Sequence, residues 1–67
     1  MVSILVNGEK RELADGVSVA DLVGALGVRP EIVAVEVNKK LVLRARRATT
    51  TLKDGDQVEL VTLVGGG

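Results

Sequence analysis

The sequence predicts an α+β fold in which a sheet of four to five short strands is covered on one face by a single helix. Three patterns carry that expectation. Asn7-Gly8 sits between two strand-like runs, the strongest short hairpin signal. Val19, Leu22, Val23 and Leu26 recur at i, i+3, i+4 and i+7, one apolar stripe of a helix. Val33 to Val37 alternates with the period of a strand, and Gln57 to Leu63 reads as the longest strand of the chain.

Taken in order, Val2 to Val6 is the first strand and Glu9 to Leu13 its return. The alternating charge of the return suits a wet sheet edge. Ala14-Asp15-Gly16 breaks it. Ser18 is a good helix N-cap, and Asp21 at the third helical position completes a capping-box-like pair facing the positive end of the helix dipole. Gly27 supplies the stop and Pro30 prevents resumption. Gly24, off the stripe, costs roughly 1 kcal/mol relative to alanine, so packing has to hold this short helix. After the third strand, Asn38-Lys39-Lys40 turns the chain into a short fourth segment, Leu41-Val42-Leu43. Arg44 to Thr51 reads as irregular, polar and basic, and Lys53-Asp54-Gly55-Asp56 as a tight turn before the last strand. The order is β-β-α-β-β-β. Its helix must return the chain to the same sheet, by a right-handed crossover.

One helix covers one face. Ile4, Val6, Val35, Val37, Val58 and Leu60 are the expected helix-facing core. Leu5, Val61 and Leu63 have the opposite parity and project from the face that no element of this chain covers. Scattered surface apolar residues are normal, yet an uncovered apolar patch beside the end of the last strand suits a docking face.

Composition removes most classes of chemistry. The chain has 67 residues, enough for one small domain, with no cysteine, no histidine and no aromatic residue. A disulfide and the usual zinc spacings are therefore absent, and the core must be aliphatic. Nine basic residues balance nine acidic ones, which argues against a nucleic-acid binder, as does the lack of a stacking platform. No apolar run has the length of a membrane span, and no signal-peptide pattern opens the chain, so a cytoplasmic location is the default expectation. Without histidine or cysteine, and with no phosphate-cradling loop, the chain is not expected to be an enzyme. Asp54 and Asp56 flank Gly55 as turn-forming residues; they offer too few oxygens for a metal. Arg44, Arg46 and Arg47 fit a solvated loop, with a contact to an acidic partner surface as the alternative.

What remains is Val64-Gly65-Gly66-Gly67. Glycine after a strand adds nothing to a core. It can be a frayed end; it can also be a thin strip, threading a channel too narrow for other residues and presenting a carboxylate. The expected division is a domain over residues 1–64 and a flexible glycine tail over residues 65–67. Once adenylated, the Gly67 carboxylate gains AMP as a leaving group, and a sulfur nucleophile could convert it to a thiocarboxylate.

The whole chain resembles the ThiS/MoaD group of ubiquitin-like β-grasp sulfur carriers, and within it most of all the ThiS branch of thiamin thiazole synthesis. The resemblance rests on Ile4-Leu5-Val6-Asn7-Gly8, the Ser18-to-Leu26 helix and Val35-Glu36-Val37-Asn38. Its most specific part is Leu52-Lys53-Asp54-Gly55-Asp56-Gln57-Val58-Glu59, followed by Val61 through Gly67. It implies a mixed sheet with the last strand parallel to the first. It also implies no bound cofactor, adenylation of Gly67 by a ThiF-like enzyme that consumes ATP and magnesium, loading from a sulfur donor, and delivery to a ThiG-like thiazole synthase. Many members carry Val-Pro-Arg and then Trp after the third strand; here Leu43 stands at the proline place and Arg47 near the tryptophan. A MoaD-like molybdopterin synthase subunit, a ubiquitin-like modifier and a plain β-grasp binding module are the alternatives.

Overall fold

A computed structural model describes residues 1–63. Its elements are β1 (Val2–Val6), β2 (Glu9–Leu13), α1 (Val19–Ala25), a 3₁₀ turn (Pro30–Ile32), β3 (Val33–Val37), β4 (Lys40–Leu41), a second 3₁₀ helix (Arg44–Thr49) and β5 (Gln57–Thr62). The five strands form one sheet in the order β2-β1-β5-β3-β4. β1 and β5 run parallel, and every other neighbouring pair is antiparallel. This is the mixed sheet of a ubiquitin-like β-grasp, with the last strand in its centre.

Local chemistry explains the connections. Asn7 and Gly8 both have positive φ, 50° and 85°, as a type I′ turn requires, and Val6 pairs with Glu9 across it. The Ser18 hydroxyl accepts from the Asp21 N–H at 3.1 Å and the Asp21 carboxylate accepts from the Ser18 N–H at 3.0 Å, closing the expected capping box. These bonds, the backbone one first, hold the Asp21 carboxyl below its ordinary value of 3.8. At the other end Leu26 caps the helix, and Gly27 (φ 73°) turns the chain away.

Three segments differ from the sequence expectation. The turn after β3 takes only Asn38 and Lys39, so β4 starts at Lys40 and is two residues long. The basic stretch is a 3₁₀ helix rather than an irregular loop. A 3₁₀ helix this short leaves no hydrophobic period to read. β5 ends at Thr62, one residue before the expected Leu63.

The core lies between α1 and one face of the sheet. Ile4, Val6, Val35 and Val58 are buried there against Val19, Leu22 and Val23; the expected Val37, Leu60 and Leu26 are only partly buried at its margin. Val33 and Leu52 complete the buried set. Leu52 is placed by backbone bonds that tie its loop to the start of the helix: its N–H donates to the Val17 carbonyl, and the Val19 N–H to that of Thr50, each at 2.9 Å.

Two stability predictions follow from these turns and caps. Lys39 holds φ 70° without being glycine. That conformation costs a side-chain-bearing residue roughly 1–2 kcal/mol, against the roughly 0.4–1 kcal/mol of extra unfolded-state entropy glycine brings. Lys39→Gly is therefore expected to stabilise the fold by about 0.5–1 kcal/mol in urea unfolding. Because the Asp21 carboxyl is depressed on folding, its contribution is present above the ordinary carboxylate range and is lost as pH falls through the folded value. Asp21→Asn should lower Tm near neutral pH, and the gap from wild type should close below about pH 4.

Candidate functional site

The end of β5 is held from both sides. On the β1 side, strand pairing gives way after Val6 to the side chain of Asn7. The Asn7 N–H donates to the Val58 carbonyl at 2.9 Å. Its Oδ1 then accepts from the Leu60 N–H at 2.8 Å, and its Nδ2 donates to the Leu60 carbonyl at 3.3 Å. The amide thus stands in for one more peptide unit of β1. On the other side, β3 pairs with β5 as far as Val33 opposite Thr62. The Leu63 N–H then donates to the Ile32 carbonyl at 2.6 Å. The last described residue is still anchored where the chain leaves the sheet.

The parity of Leu5, Val61 and Leu63 is as expected: all three are exposed on the face away from α1. They do not form one continuous patch. Leu5 lies beside Gln57, while Val61 lies four residues further along β5, about 13 Å away. Glu59 stands between them with Glu36 directly opposite. Val61 has Ala34 as its neighbour, and Leu41 extends the face on the β3 side. The apolar groups nearest the exit are Val61 and Leu63, and Leu5 belongs to the far end. Val64, Gly65, Gly66 and Gly67 lie outside the described residues.

The arginine cluster divides into three roles. Arg44 reaches Glu31 at 3.8 Å on the surface, where Arg29 also meets it at 3.1 Å. The Arg46 carbonyl accepts from the hydroxyls of Thr49 and Thr50. Arg47 departs from the solvated-loop expectation, being only 6% exposed. Its Nη1 donates to the Pro30 carbonyl at 2.9 Å and its Nη2 to the Val33 carbonyl at 2.6 Å. Its Nε is buried with no hydrogen-bond partner among the described residues. Arg47 thus fills an interior position, close to the place where the resemblance sets a tryptophan.

The two aspartates of the last turn are structural. Asp54 Oδ1 accepts from the Ser3 N–H at 2.6 Å; Asp56 accepts from the Lys53 N–H at 2.8 Å and from the Asn38 amide at 3.0 Å. Among the described residues no cluster of three or more carboxylate or other ligand side chains could hold a metal ion, and no helix is long and apolar enough to cross a membrane.

Fold and exit strand together define a β-grasp domain that leads its final strand out from the centre of the sheet. The ThiS family model matches residues 4–67, and the chain belongs to the ThiS family. The sulfur carrier protein ThiS of Escherichia coli is 32% identical over 66 residues, spanning 98% of this chain and all of that one. A crystal structure of the thiamine biosynthesis protein ThiS of Geobacter metallireducens is 38% identical, with a TM-score of 0.85 over 98% of this chain and 100% of that one. A thiazole synthase of Paramagnetospirillum magneticum is 38% identical over 66 residues, but the match spans 98% of this chain and only 20% of that protein. A thiazole synthase of Magnetococcus marinus gives the same 20%. The chain thus spans about a fifth of the length of those two relatives.

Asn7 and Arg47 are the residues whose part in the exit the sequence did not disclose. Asn7 carried a signal only for its turn, and Arg47 only for charge. Asn7→Ala removes both side-chain bonds to Leu60 and is expected to cost about 1–2 kcal/mol in urea unfolding, with faster exchange of the Leu60 amide.

Proposed function

We propose that this protein is a sulfur carrier of thiamin thiazole synthesis that works through the carboxylate of Gly67. The observation that carries the reading is the exit of β5: a central strand, anchored up to Leu63, followed in sequence by Val64-Gly65-Gly66-Gly67. Those four residues span at most roughly 13 Å, enough to enter an enclosed active site while the domain stays outside. Membership of the ThiS family and the likeness to proteins named as sulfur carriers support it.

The chemistry belongs to the partners, and this chain supplies the reacting carboxylate. In an adenylating enzyme of the ThiF kind, with magnesium-bound ATP, the carboxylate oxygen attacks the α-phosphorus and pyrophosphate leaves. A sulfur nucleophile at the hydrosulfide level then adds to the acyl carbon and AMP departs, leaving the thiocarboxylate. Glycine at positions 65 and 66 puts no Cβ in the way of that approach. In this reading the protein is a co-substrate rather than an enzyme and acts in the cytoplasm. Val61 and Leu63 rest against the activating enzyme next to its channel, with Leu5 at the rim of the contact. Delivery to a ThiG-like synthase is supported by the thiazole synthases that contain a segment similar to this chain.

Incubation with an active ThiF-like enzyme, ATP, magnesium and a sulfur source is expected to give the mass of one oxygen-to-sulfur exchange on the intact chain. A chain ending at Gly66 should show none, while its thermal unfolding matches that of the full chain. An unchanged mass of the full chain beside an active partner would sink the reading. Capture of Gly67 on lysines of other proteins would point to a modifier instead.

A further inference from the structure

We infer that Arg47 is a positioning residue for the end of β5: its guanidinium braces the Pro30–Val33 segment on which Leu63 is anchored. The functional half of this inference rests on the carrier reading; the structural half rests on geometry alone. Of the four carbonyls in the Pro30–Val33 segment, Arg47 takes the two outer ones, those of Pro30 at 2.9 Å and Val33 at 2.6 Å. Between them the Ile32 carbonyl accepts the Leu63 N–H, the last described anchor of the exit. Val33 is also the residue paired with Thr62. The Val33 carbonyl lies on the β4 side of the strand and the Ile32 carbonyl on the β5 side, so one rigid donor fork braces from behind the segment on which Leu63 is seated.

Filling space does not account for an arginine here. The side chain is 6% exposed and, among the described residues, has no ion pair and no partner for its Nε. The neighbouring carboxylate, Glu31, is engaged by Arg29 and Arg44 on the surface. Burying a charge without a counter-charge is unfavourable, and apolar residues of similar volume commonly serve stability as well or better. What an apolar residue cannot do is hold two carbonyls at a set spacing. A shift of that segment would move the point at which Leu63 is anchored.

Arg47→Met keeps the stem and removes the donors; Arg47→Lys keeps the charge and loses the fork. Hydrogen exchange by NMR should show the Leu63 amide of Arg47→Met opening roughly tenfold faster than in wild type, with the amides inside β3 and β5 changing far less. With a ThiF-like enzyme and ATP, the KM for the carrier should rise roughly tenfold while kcat stays near wild type, the pattern of lost uniform binding. Arg47→Lys should fall between the two. An unchanged Leu63 amide, or one that accelerates by the same factor as the core amides, overturns the inference. If Arg47→Met does not fold, the same criteria apply to Arg47→Lys. If wild type is not adenylated at all, the carrier reading fails, and Leu63 exchange still decides the role of Arg47.

Discussion

The parallel pairing of β1 with β5 is the constraint on which the rest of this molecule depends. It joins the two ends of the described chain, so it closes only after everything between has become compact. The strands themselves contribute just two register positions, Leu5 with Gln57 and Val6 with Val58. Turn residues lengthen the pairing at both ends. Before it, the Ser3 N–H donates to Asp54, the Gly55 N–H to the Ser3 carbonyl at 2.7 Å and the Leu5 N–H to the Asp56 carbonyl at 3.0 Å. After it, the Asn7 amide takes over at Leu60. A short ladder thereby becomes long enough to hold β5 in the centre of the sheet, where both of its edges are occupied.

That arrangement has to be held by a small aliphatic core. Nine buried residues, all Val, Leu or Ile, make up its centre. A domain of this size has a narrow stability margin, so each capped helix end and satisfied turn is a sizeable fraction of the whole. The capping box at Ser18 and the two backbone bonds between residues 17–19 and 50–52 fix α1 over the sheet. The 3₁₀ helix beside them brings Arg47 under the 30–33 segment. Helix, loop and exit edge thus share one packing arrangement.

Signals confined to a few residues were legible in the sequence. The Asn7-Gly8 hairpin, the Ser18–Asp21 cap, the Gly27 stop and the Asp-Gly-Asp turn each have a mechanism that acts within four residues. Parity along a strand likewise identified which side chains face α1. Parity says nothing of neighbours, however, and so puts Leu5 with Val61 and Leu63 although Glu59 lies between. Register decides neighbours, and this register is set by residues about fifty positions apart. The place of β5 beside β1 came from the family resemblance. The place of Arg47 is hidden for a related reason: a charged side chain reads as solvated, and only tertiary structure shows two carbonyls waiting for it. The second task of Asn7 was hidden in the same way behind its turn.

A fixed exit has a thermodynamic consequence for a carrier of the proposed kind. Ordering a residue's backbone costs roughly 1–2 kcal/mol. If Thr62 and Leu63 frayed, a partner that grips the end of β5 would have to offset roughly 2–4 kcal/mol to order them. Holding them to Val33 and Ile32 meets that cost when the domain folds, before any partner is encountered. The fold therefore need not supply a reactive group at all. In the proposed reading its contribution is to present the end of β5 already ordered as far as Leu63.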